Sequence, residues 1–132
     1  MSRSKPIDRT PKVSDLLIRQ KIEAMIEYGY VSLRQFPKQE KFVLGAEMRQ
    51  SMWNLLRLVI ICNKRYFKKT TLQELDVELD LLRSQVRLAK SLQYIDFQKY
   101  EHWALINDEI GRLLGGWIKS LSEPAVAVGD MR

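Results

Sequence analysis

Apolar residues recur at steps of three and four along most of the chain, and no stretch alternates with the period of two that a half-buried strand requires. The first run places Ile18, Ile22, Met25, Ile26, Gly29, Leu33 and Phe36 on one face, with Ser14 positioned to cap its start. Pro37 ends that helix and suits the first position of the next, where its missing N–H has no intrahelical partner. The second run carries Met48, Met52, Leu55, Val59, Cys62 and Tyr66 and extends to about Phe67. Thr71 to Glu74 then matches a capping box, which predicts a third helix with Leu72, Leu75, Leu79, Leu82, Val86 and Ala89 in a near-heptad stripe. Asp96 suits the N-cap of a fourth, whose band is Phe97, Tyr100, Trp103, Ile106, Ile110, Leu113, Leu114, Trp117 and Leu121. Four helices joined by short connections predict an all-α fold, an antiparallel up-down four-helix bundle over residues 14–121.

The ends read differently. Pro6 and Pro11 in a polar, basic segment predict a flexible arm over residues 1–13, and Pro124 and Gly129 predict a loose tail over residues 122–132. At 132 residues, 45% apolar and 29% charged, the chain is one small domain, too short for a polymerase, a kinase or a dinucleotide dehydrogenase. A single cysteine, Cys62, cannot form an internal disulfide, and the sequence offers no second Cys or His cluster with which to build a zinc site. The chain therefore fits a reducing compartment. The N-terminus lacks the apolar core of a secretory signal, and the most apolar stretch, Leu58 to Cys62, is far below the ~20 residues that span a bilayer. A cytoplasmic, membrane-free protein is expected.

Charge changes the picture more than composition does. The net charge is +6, and its source is concentrated. Between Pro37 and Lys69 stand Lys38, Lys41, Arg49, Arg57, Lys64, Arg65, Lys68 and Lys69 against Glu40 and Glu47 alone. The arm adds Arg3, Lys5, Arg9 and Lys12 against Asp8, and the other helices are near neutral or slightly acidic. On a helical wheel Arg57, Lys64 and Lys68 fall opposite the core stripe, beside Trp53 and Phe67. Cations with aromatic neighbours suit a surface that meets phosphates and stacks bases, although solvated basic faces that bind nothing are common. Arg83, Arg87 and Lys90 on the third helix are secondary candidates, with Asp80 placed to pair with Arg83. Trp53, Ile60 and Phe67 share a flank at seven-residue spacing, which suits either an interface between protomers or simply a wide core stripe.

Reactive chemistry is missing. His102 is the sole histidine and has no triad-like neighbours in the pattern, so it reads as structural or surface. No glycine-rich phosphate loop occurs: Gly45 is isolated, and Gly111, Gly115 and Gly116 lie inside the fourth helix as a smooth packing patch beside Trp117. Tyr94-Ile95-Asp96 is a helix cap. No enzyme activity, metal or cofactor is expected.

Three segments carry a family resemblance. Phe36-Pro37-Lys38-Gln39-Glu40 followed by Leu44-Gly45-Ala46-Glu47-Met48-Arg49 resembles the junction of helices 1 and 2 in the four-helix-bundle proteins that include the bacterial 23S rRNA intervening-sequence proteins. Leu72-Gln73-Glu74-Leu75-Asp76-Val77-Glu78-Leu79-Asp80-Leu81-Leu82-Arg83 resembles their third helix. The run Asn107 to Ser120, with Gly111, Gly115, Gly116 and Trp117, is similar to one branch, the accessory variability determinant (Avd) proteins of diversity-generating retroelements. The intervening-sequence branch carries an Arg-Arg pair and a Ser-Ile-Pro…Asn-Ile-Ala-Glu-Gly segment. Here Arg49-Gln50-Ser51-Met52-Trp53 and Lys64-Arg65-Tyr66-Phe67-Lys68-Lys69 stand instead. The Avd resemblance implies a noncatalytic protein that forms a barrel-like homopentamer. It further implies binding to the retroelement's reverse transcriptase and to template-repeat RNA or cDNA, in support of mutagenic reverse transcription that diversifies a target gene. Arg49, Arg57, Lys64, Arg65, Lys68 and Lys69 would meet phosphates, while Gly111, Gly115, Gly116 and Trp117 would pack. Alternatives from other classes are a helical protein-interaction module and an rRNA-associated bundle without a retroelement role.

Overall fold

A computed structural model describes residues 13–130, with side chains described for residues 16–121. Four α-helices and one 3-10 turn make up the described residues, with no strand: α1 Val13–Leu33, the turn Glu40–Phe42, α2 Leu44–Lys64, α3 Lys69–Ser91 and α4 Phe97–Asp130. Consecutive helices pack side by side, and α4 returns to α1, closing a four-helix bundle. The antiparallel sense is fixed by cross-helix pairs. Lys21 near the middle of α1 meets Glu109, about three turns into α4, at 3.2 Å, while Gln35 just past α1 donates to the Asp96 carboxylate at the entry to α4 at 3.0 Å.

The core is the predicted stripe. Ile18, Ile22, Met25, Ile26, Leu33 and Phe36 from the α1 segment, Met48, Met52, Leu55, Val59 and Cys62 from α2, and all six predicted α3 positions are buried. From α4, Trp103, Ile110, Leu114 and Trp117 are buried, whereas Phe97 and Leu121 at the ends of the predicted band are exposed. Gly29 is needed where α1 crosses its neighbours: a Cβ there would collide with the Met52 thioether and lie 2.9 Å from the Trp103 ring.

Helix boundaries depart from the pattern at three places. Pro37 does not open α2. Its carbonyl accepts from the N–H groups of Glu40 and Lys41, forming a separate short turn, and α2 begins only at Leu44 after Val43 breaks the helical geometry. At the other end α2 stops at Lys64, because Arg65 turns extended (φ −92°, ψ 148°), so Tyr66 and Phe67 leave the helix. The capping box at Thr71 does not form. Helix α3 starts at Lys69, and the buried Thr71 hydroxyl instead accepts a 2.8 Å bond from the Arg65 guanidinium.

Ser14 falls within α1 rather than ahead of it, and the expected arm lies outside the described residues except for Val13, which begins α1. Helical backbone continues past Leu121 to Asp130, through Pro124.

Asp96 caps α4 as predicted. Its carboxylate accepts the backbone N–H of Lys99 at 2.7 Å and the Gln35 side chain at 3.0 Å, and these bonds, the first foremost, hold its pKa below the ordinary aspartate range. The charged form is therefore favoured in the folded state, so its contribution is full above the unfolded pKa and fades as pH falls through the folded one. The stability gap between wild type and Asp96→Ala in urea titrations should accordingly be open at neutral pH and narrow in acid.

Candidate nucleic-acid interface

From Met48 to Gln73 the chain holds six cations and no carboxylate, so α2 and the start of α3 form one continuous positive segment. The fold sorts those six into two groups. Arg57, Lys64 and Lys69 are exposed and take part in no ion pair among the described residues. Seven residues separate Arg57 from Lys64, which sets them on one face of α2 roughly 10 Å apart along its axis. The Arg57 guanidinium is steered by a 2.9 Å bond to the Asn54 side-chain oxygen, which also accepts from the Gln50 amide.

The other three act on the fold. Arg49 is half-buried and donates to the Lys41 carbonyl at 3.0 Å, tying the 3-10 turn to α2. Arg65 holds Thr71. Lys68 was placed outward on α2 by the helical wheel, yet it lies beyond that helix, and its Nζ donates to the carbonyls of Cys62 (2.6 Å) and Arg65 (2.5 Å). An ammonium on the terminal carbonyls of a helix satisfies orphan acceptors and complements the negative end of the helix dipole. Its role is therefore that of a C-cap.

On α3 the secondary candidates also divide. The half-buried Arg83 pairs with Asp80 (3.7 Å) and Asp108 (3.4 Å) and reaches the Asn107 carbonyl (3.5 Å), so its charge is compensated in the α3–α4 seam. Arg87 is exposed and donates to the Ser84 hydroxyl, and the Lys90 ammonium sits 4.6 Å over the Tyr100 ring centroid. Neither is in an ion pair among the described residues.

The predicted aromatic flank is broken up. Trp53 is 44% exposed and donates its indole N–H to the Tyr30 hydroxyl at 2.9 Å, a pairing between α1 and α2 that heptad counting on one helix cannot find. Ile60 is half-buried. Phe67, no longer on α2, stands at the bundle's end next to Tyr66. Sequence reasoning overlooked an outward apolar line on α3, Val77, Leu81 and Leu88, all exposed. Its steps of four and seven were there to be read beside the core stripe. Val77 borders an open groove of about 520 Å³ with Leu58, Arg57 and Glu74. Lys69 borders a second groove, about 270 Å³, lined also by Leu72, Gln73, Ile118 and Leu121.

The glycines of α4 divide. A Cβ on Gly111 would strike the Arg83 guanidinium, so this glycine admits the seam's cation. Gly115 and Gly116 are exposed, with nothing among the described residues within 4 Å of a Cβ on either, whereas Trp117 is buried. Exposed glycines inside a helix are costly, so Gly115→Ala and Gly116→Ala should each stabilise the protomer by about 0.5–1 kcal/mol in thermal denaturation.

His102 is exposed and packs on Tyr28 with its ring tilted by 51°, at a centroid distance of 4.4 Å. Among the described residues no group of three or more His, Cys, Asp or Glu side chains is placed to hold a metal, and no helix is long and apolar enough to cross a membrane. What the surface offers chemically is exposed positive charge beside aromatic rings.

A protein-family model described as bAvd-like matches residues 16–121 of the chain. No curated protein matches it.

Proposed function

The chain belongs to the bAvd-like family, and from that premise we propose that it is a noncatalytic accessory protein of a diversity-generating retroelement. In this reading it binds the element's reverse transcriptase together with template-repeat RNA or cDNA and supports the mutagenic copying that diversifies a target gene. The observation that carries the reading is the carboxylate-free segment Met48–Gln73, on which Arg57, Lys64 and Lys69 are exposed and in no ion pair among the described residues. Unpaired surface cations on a fixed scaffold are what a phosphate backbone requires, since binding gains entropy as each neutralised phosphate releases its counterion. Arg87 and Lys90 lie near the far end of α3, on its α4 side, and stay secondary cations apart from this segment. Arg49, Arg65, Lys68 and Arg83 contribute to it through shape, by holding the turn, the corner and the α3–α4 seam in place.

The protomer is further proposed to assemble as a homopentamer, with the exposed apolar residues Trp53, Val77, Leu81 and Leu88 supplying contact between copies. Light scattering should then return five times the 15.5 kDa chain mass. The partner reading is tested by capturing a reverse transcriptase on the purified chain from nuclease-treated extract. Retention after nuclease treatment is expected, and absence of the enzyme both with and without nucleic acid would count against the role.

A further inference from the structure

The corner between α2 and α3 carries two aromatic rings that the core does not use. Tyr66 is 57% exposed and Phe67 83%, and the rings meet edge to face, 4.7 Å between centroids at 82°. That geometry leaves Phe67 open to a further ring. The corner is held in place: the Arg65 guanidinium bonds the Thr71 hydroxyl behind it, and the Lys68 ammonium clamps the carbonyls of Cys62 and Arg65. Both rings are thus carried on a braced backbone, flanked by Lys64 and Lys69, with no carboxylate in the sequence between Glu47 and Glu74.

Rings and cations together select a ligand that is anionic and also has flat π faces. An acidic protein surface satisfies the lysines and leaves the rings in water. A nucleic-acid duplex also satisfies the lysines, but its base faces are hidden in its own stack. We propose that Tyr66 and Phe67 stack unpaired bases of a single-stranded nucleic acid whose phosphates are met by Lys64 and Lys69. This rests on the nucleic-acid reading above and specifies its ligand as single-stranded. Stacking tolerates ribose and deoxyribose alike, so template RNA and its cDNA are both accepted.

The test is fluorescence anisotropy with a labelled single-stranded RNA, the DNA of the same sequence and a blunt duplex, using the full chain. Tyr66→Ala with Phe67→Ala should weaken both single strands by roughly 10- to 100-fold, leave the duplex unchanged and leave the salt slope unchanged. Phe67→Trp should retain single-strand affinity. Both side chains are exposed, so circular dichroism should be unaltered. Equal losses on single strand and duplex, or no loss on either, would overturn the proposal. So would a fall in oligomer mass, which would assign the rings to contact between copies, or loss of anionic phospholipid vesicle binding with single-strand affinity kept. A wild-type chain that binds no nucleic acid at low salt defeats the nucleic-acid reading itself. One that binds but ignores the double substitution defeats only the stacking corner.

Discussion

Reversing Arg57, Lys64 and Lys69 to glutamate together is expected to weaken RNA binding more than about 100-fold near physiological salt. Three phosphate contacts are lost and three repulsive carboxylates take their place. The log–log dependence on salt should flatten by about 2 to 3, since each phosphate contact contributes roughly 0.7–0.9. Helicity should survive, because these side chains are exposed and make no ion pair among the described residues. The control comes from the other group of cations. Lys68→Met removes a charge of the same sign in the same segment, but that ammonium is bound to the Cys62 and Arg65 carbonyls. It should lower the melting temperature and leave the salt slope nearly untouched. Anisotropy titrations over a salt series check both statements.

The second large effect lies in the core. Trp103 is fully buried where α4 faces Gly29 of α1, the largest side chain so enclosed. Trp103→Ala should cost about 3–5 kcal/mol through lost burial and the cavity left behind. Against the ~5–15 kcal/mol typical of a whole domain, that is enough to populate unfolded chain at ordinary temperature. Trp103→Phe should be far milder, because it keeps an aromatic ring at the site and removes an indole N–H that has no hydrogen-bond partner in the core. Urea denaturation followed by circular dichroism distinguishes the two.

The bundle was legible because its core obeys one periodicity. Every predicted α3 position is buried, and Asp96 caps α4 by the backbone bond its residue type suggests. Helix ends were less legible because they depend on competing partners. Thr71 has the sequence of a cap, yet its hydroxyl accepts from Arg65, and the helix starts three residues earlier, with Lys68 at the N-cap position. The same competition blurred the site. Counting charges locates the positive segment but cannot tell a cation facing water from one folded onto a carbonyl, and Arg49, Lys68 and Arg83 are of the second kind. Asn107 and Gln85, buried in the bundle, were invisible for the opposite reason, since a polar residue on a core face breaks the very pattern used to find that face. Phe67 was misplaced by one missing fact, that α2 ends at Lys64.

The account places nucleic acid on the outward side of α2 and the α2–α3 corner, and ultraviolet cross-linking of the purified chain to a uridine-rich RNA, with mass spectrometry of the joined peptides, tests that placement directly. The predicted cross-links fall within Trp53–Gln73, concentrated at Tyr66 and Phe67. Cross-links confined to the α1 and α4 faces would contradict it.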